Sequence, residues 1–357
     1  MAGPVIPAWT WAVPLVAILS LAAGFALPLG PVVFGVCSIA LIACVFAAVH
    51  HAEVVAHRIG ESLGTLVLAV AVTVIEVGLI VSVMLSDGGG SKATLARDTV
   101  FAAVMVVCNG IVGMCLLLGG VRHGRQGFQV QGANGALAVL GALTVLTLIV
   151  PNVTLTSPGP VFSTAQLVFA GVTSLILYGT FVFVQTIRHP GDFMADLPHH
   201  VGERPSPRET AIASALLVVS LVTIVGLAKL ISPLIDRGVA AAGAPQAVVG
   251  IIIAALVLLP ESVTALRAAR ENRLQTSLNL ALGSALATIG LTIPAVAVVS
   301  LVFHQELVLG LDAKEAVLLM LTLVTGVVTL GTGRTTVLQG AVHLTIFIAF
   351  LFLAVVP

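Results

Sequence analysis

Apolar residues fall in continuous blocks of about 20 along the whole chain, separated by short polar stretches. Helices of that length cross a hydrocarbon core roughly 30 Å thick, whereas a transmembrane barrel would alternate in segments of about ten. The pattern predicts eleven spans, near 9–28, 31–49, 62–86, 96–121, 132–151, 161–187, 209–232, 244–266, 275–303, 313–331 and 335–356. One connection, "RHPGDFMADLPHHVGERPSPRE" at 188–209, is long and polar and divides the spans into six and five. The expected fold is an all-α polytopic membrane protein with an extra N-terminal helix in 1–30. A five-helix repeat in 31–187, a linker at 188–208 and a second five-helix repeat in 209–357 follow.

Five spans per half is an odd number, so the two halves must cross the membrane in opposite senses. That is the inverted-topology repeat of many secondary transporters. The halves align at one feature. In "LVLAVAVTVIEVGLIV" (66–81) and "IIIAALVLLPESVTAL" (251–266) the eleventh residue is a glutamate, Glu76 and Glu261. Each segment precedes a span rich in small, weakly polar residues, 98–120 and 278–300.

Composition agrees with the pattern. Of 357 residues, 59% are hydrophobic and only 8% charged, against roughly 25% charged in soluble proteins. Net charge is zero, which gives no reason to expect nucleic acid as a partner; the expected partners are membrane lipid and transported cations. Lys and Arg number ten in loops after even-numbered spans and five after odd-numbered ones. By the positive-inside rule the N-terminus and the 188–208 linker lie in the cytoplasm. No Lys or Arg precedes Arg58, so the first apolar run reads as retained rather than as a cleaved signal. Cys37, Cys44, Cys108 and Cys115 lie in apolar runs without a CxxC and read as small core residues.

Of the fifteen acidic residues thirteen fall in loops or at span ends, and only Glu76 and Glu261 lie well inside spans. A carboxylate there costs at least about 2.5 kcal/mol, so it marks a candidate site by default; the bland reading is two protonated, hydrogen-bonded packing elements. Pro260 removes a backbone donor and frees a carbonyl one turn earlier, near Leu256. Unwound backbone survives in a membrane where it lines a cavity, and its carbonyls can then ligate a cation. Two carboxylates with carbonyls and hydroxyls form an all-oxygen set that suits a hard cation such as Ca²⁺ or Na⁺. Burial and mutual repulsion disfavour two unneutralised carboxylates, so the site should hold either the cation or protons. Thr73, one turn before Glu76, can support it or bond back to its own helix.

At these residues the chain resembles the calcium/cation exchanger superfamily, and within it the bacterial ChaA-type calcium/proton antiporters. The resemblance rests on 50–81, on "LLPESVTALRAARENRLQTSLNLALGSALATIGLTIPAVA" (258–297) and on "GTGRTTVLQGAVHL" (331–344). It implies ten core helices in two inverted halves in the bacterial cytoplasmic membrane, with a glutamate from each half binding Ca²⁺ and exchanging protons. Those glutamates are Glu76 and Glu261, with Asn109 and Ser284 near supporting polar positions. The chain departs from the family where Gly-Asn precedes each glutamate, holding Val72–Thr73 and Val257–Leu258 instead, and it lacks a Gly-Ser near Val104–Met105. Selectivity is therefore open, with a Na⁺/H⁺ or K⁺/H⁺ antiporter as the alternative to Ca²⁺/H⁺ exchange.

The remaining motifs lead elsewhere only weakly. Glu61 and Asp98 stand at span entrances, as helix caps or as ion-entry groups. His343 reads as a packed, neutral histidine, and His189, His199 and His200 as part of a solvated linker or a pH sensor. "GTGRTT" lacks the spacing of a phosphate loop. "HHAEVVAHR" is not HExxH, so no enzyme and no cofactor are expected. A channel would draw a carboxylate ring from several subunits, which two acids in one chain do not supply.

Overall fold

Apolar blocks this long can satisfy their backbone in lipid only as helices, and helices are what form. The computed structural model describes residues 7–28, 30–59, 61–84, 93–193 and 205–356. In chain order they give α1 (Ala8–Ala26), α2 (Pro31–Ile59), α3 (Glu61–Met84), α4 (Leu95–Met105), α5 (Val112–His123), α6 (Val130–Thr144), α7 (Thr164–Phe183) and α8 (Pro207–Ala241). The remainder are α9 (Ala247–Val257), α10 (Leu259–Arg270), α11 (Leu274–Phe303), α12 (Ala313–Leu330) and α13 (Val337–Val355). A single π-helical turn, Val106–Ile111, joins α4 to α5 in one continuous span. Two short strands, β1 (Gln126–Gly127) and β2 (Arg334–Thr335), pair antiparallel.

Among the described residues nine helices are long and apolar enough to cross a membrane, ten if the bent pair α9–α10 is one span. The protein is therefore an all-α multi-pass membrane protein. The eleven expected spans differ from this count at α3, whose apolar stretch is Ala69–Ser82, and at the bend. Helices also outrun their apolar cores. The second span was expected to end at 49, yet α2 continues to Ile59. The seventh was expected to end at 232, yet α8 passes through Pro233 to Ala241. Hydropathy reports where lipid ends; the hydrogen-bond ladder continues into the interface as long as the side chains tolerate it.

Several helices start sharply for a local reason. Ser206 caps α8 by accepting from the Glu209 backbone at 3.2 Å, while its own N–H donates to the Glu209 carboxylate at 2.7 Å, and Pro207 follows at the first position. Ser163 with Gln166, Asp312 with Glu315 and Thr336 with Gln339 build the same reciprocal cap on α7, α12 and α13. Of the linker, residues 194–204, including His199 and His200, lie outside the described residues.

The helices form two compact units, each drawing on both sides of the linker. The first holds α1, α2, α3 and α8. Its helices approach closely through glycine: a Cβ on Gly78 would come within 2.6 Å of Val225 and one on Gly226 within 2.8 Å of Leu21. The second holds α4–α7 and α9–α13 around a core that includes Met105, Leu116, Leu140, Leu143 and Leu278, all under 2% exposed.

Candidate functional site

In the first unit Glu76 sits on α3 and is 2% exposed. Thr73, one turn earlier, is also buried. The helix carrying them packs against α2 and α8. The side chain is thus withdrawn from solvent, a setting in which the charged form of a carboxyl is costly without a counter-charge.

In the second unit Glu261 sits in the first turn of α10 and is 8% exposed. Its position follows from the bend. The chain turns by 56° between α9 and α10 around Leu258, which keeps helical dihedrals (φ −84°, ψ −1°). Pro260 lies at the start of α10, where its missing N–H costs no ladder bond. The bend thereby sets a helix N-terminus beside Glu261, where backbone dipoles favour a carboxylate. The carbonyls around the break are occupied: Leu258 accepts from the Ser262 hydroxyl at 2.6 Å and Pro260 from the Thr264 hydroxyl at 2.9 Å.

The helix of Glu261 packs against α11, α5 and the π-helical turn. That places together the elements carrying Glu261, Asn109 and Ser284. Ser284 is half-buried on α11. Asn109 is fully buried on the π-helical turn, the one-turn irregularity that recurs at functional sites. Its Nδ2 donates to Thr322 Oγ1 at 2.8 Å, and its Oδ1 lies 3.1 Å from His343 Nδ1. Thr322 and Thr329 were not singled out in the sequence. Their seven-residue separation on α12, which puts them on one helix face, was the available signal.

At one end of the second unit Asp98 receives the Arg97 Nε at 2.8 Å and the Thr94 hydroxyl at 2.9 Å. Arg97 continues to the Gly310 carbonyl at 2.8 Å and stands 3.8 Å from Asp312. The contacts place Asp98 in an ion pair with Arg97, which ties α4 to the start of α12, a role not expected from the sequence. Beside it lies a cavity of about 250 Å³, lined in part by Asp98, Gln246, Lys314 and Glu315. The side chain of Glu61 lies outside the described residues. The four cysteines are buried and free. Among the described residues no group of three His, Cys, Asp or Glu side chains is placed to hold a metal ion.

Comparison with known proteins bears on what this arrangement does. Residues 29–187 and 212–356 match the family model described as sodium/calcium exchanger protein. A putative ionic transporter, y4hA, of Sinorhizobium fredii is 49% identical over 99% of this chain and 97% of its own length. The sodium-potassium/proton antiporter ChaA of Escherichia coli is 35% identical over 90% of this chain and 89% of its own. Solved structures of YfkE, one described as a Ca²⁺/H⁺ antiporter protein, superpose with TM-scores of 0.75 and 0.73. They cover 98% of this chain and all of theirs at 17% and 16% identity, a likeness of fold.

Proposed function

The chain belongs to the sodium/calcium exchanger family, whose members are secondary transporters rather than enzymes, and from that premise we propose that it exchanges Ca²⁺ for protons by alternating access. Glu76 and Glu261 bind the cation and, in turn, the protons. Thr73, Asn109, Ser284 and the backbone turned at Pro260 support the ion or proton path.

One observation carries the reading: two carboxyls are buried on apolar helices, at 2% and 8% exposure, at matching positions of the two sequence halves. Neither is affordable in lipid as a bare anion, so each must be protonated or neutralised by a cation. Two charges of −1 match one Ca²⁺ or two H⁺, which couples the flows without any further device. Oxygen donors favour hard cations over zinc or copper.

A second reading keeps the site and changes the cargo to Na⁺ or K⁺. It is favoured by the relative described as a sodium-potassium/proton antiporter and by Val72–Thr73 and Val257–Leu258, which supply no side-chain amide before either glutamate. A preset pH gradient in inside-out vesicles separates the two. Its collapse on adding Ca²⁺ is expected for the first reading; collapse with Na⁺ or K⁺ alone establishes the second. No response to Ca²⁺, Na⁺, K⁺ or Mg²⁺ from inserted, folded protein overturns both.

A further inference from the structure

The Asn109 amide is the centre of a directed hydrogen-bond chain that joins three helices. Its direction follows from one fixed end. The Thr322 hydroxyl has the Leu318 carbonyl at 2.8 Å and Met105 Sδ at 3.3 Å as acceptors for its single proton, and with either one Oγ1 accepts from Asn109 Nδ2 at 2.8 Å. The amide therefore presents Oδ1 to His343, and Nδ1 of that ring, 3.1 Å away, must be the protonated nitrogen. The other nitrogen, Nε2, then accepts from the Thr329 hydroxyl at 3.1 Å. All four residues are 3% exposed or less.

The ring cannot move aside, because the helix that carries it is pressed onto the Asn109 span through glycines. A Cβ on Gly113 would meet His343 Cβ at 3.0 Å, and one on Gly340 would meet the Leu117 nitrogen at 2.5 Å. One turn along, a Cβ on Gly110 would meet the ring of Phe347 at 3.3 Å. The hydrogen-bond chain thus grips the π-helical turn, an element on which α10, the helix of Glu261, also packs.

We propose that His343 is a positioning residue for cation exchange: as the Nδ1–H tautomer, buttressed by Thr329, it fixes the Asn109 amide and the π-helical turn beside the helix of Glu261. This rests on the exchanger reading, in which Glu261 binds the cation. His343 itself touches no ion. It acts through Asn109, as outer hydrogen-bond partners orient the groups that meet a metal.

Two isosteric substitutions test this, since the Asn amide nitrogen falls where Nδ1 lies and the Gln amide nitrogen where Nε2 lies. Purified variants in proteoliposomes containing a pH dye are titrated with Ca²⁺, and with Na⁺ and K⁺. His343→Gln keeps a group beside Thr329 but loses the donor to Asn109, and is expected to raise the half-maximal cation concentration about tenfold with the maximal rate unchanged. His343→Asn keeps that donor and is expected to leave both unchanged. A His343→Gln protein with wild-type cation dependence, or two variants that lose maximal rate equally, overturns the proposal.

Nitrogen-15 spectra of the imidazoles, with the His343 signal assigned from its loss in His343→Gln, supply a readout independent of transport. The Nδ1–H tautomer is expected, and an Nε2–H tautomer overturns the proposal whatever the flux assay gives. A wild type that shows the Nδ1–H tautomer but moves no cation overturns the exchanger reading instead.

Discussion

At the residue scale the protein tolerates buried charge in two different ways. Arg97 and Asp98 are 8% and 5% exposed and neutralise each other at 2.8 Å, with further bonds to Thr94 and Gly310. Removing one partner strands the other, so Arg97→Ala should cost about 3–5 kcal/mol of stability, while replacing both residues with apolar ones of similar volume costs much less. Thermal unfolding of the two purified variants in detergent gives the comparison. Glu76 and Glu261 stand in a different position, because on the exchanger reading their compensation is a cation or a proton that must leave. Glu76→Gln and Glu261→Gln should each keep the protein folded and abolish cation-driven proton movement. Retained exchange in either variant would remove that glutamate from the mechanism.

At the element scale the consequential features are interruptions of otherwise regular helices. The 56° bend at Leu258 places a helix N-terminus at Glu261, and Pro260 makes a straight α9–α10 unable to complete its ladder. Pro260→Ala restores that N–H and should lower exchange by about tenfold or more through displacement of Glu261. Unchanged flux from Pro260→Ala would show that the bend is set by packing rather than by the ring. The α5–α13 contact is a close backbone approach through glycines. Since a methyl on Gly340 would meet backbone of α5 at 2.5 Å, Gly340→Ala should cost about 1–3 kcal/mol, read as a lower unfolding midpoint. Gly135, around which there is open space, is the control and should change little.

At the scale of the whole molecule, ten Lys and Arg after even-numbered spans against five after odd-numbered ones predict a cytoplasmic N-terminus and linker. A single cysteine at Gly191 should react with an impermeant maleimide from the cytoplasmic side, and one at Gly159 from the opposite side. The four native cysteines are buried and free, so their background labelling should be small. Reaction of both introduced sites from one side would break the assigned topology. The units described by packing are not the sequence halves, because each takes helices from both sides of the linker.

How much of this was legible in the chain depends on the range of the force involved. Hydrophobicity acts on each residue locally, so the sequence by itself determined the membrane class, the approximate spans, the candidate glutamates and the family likeness. The proline bend was legible too, because Pro carries its own backbone constraint. The extension of α2 to Ile59 and of α8 past Pro233 was not, since the ladder can outrun the apolar block. Nor were the partners of Asn109, His343 and Arg97. Thr322 lies 213 residues from Asn109, and the chemistry of either residue names no particular partner. Only the packing of α4, α5, α12 and α13, with glycines allowing backbones to close, decided which buried polar groups meet, because hydrogen bonds form between neighbours in space and those neighbours are chosen by shape.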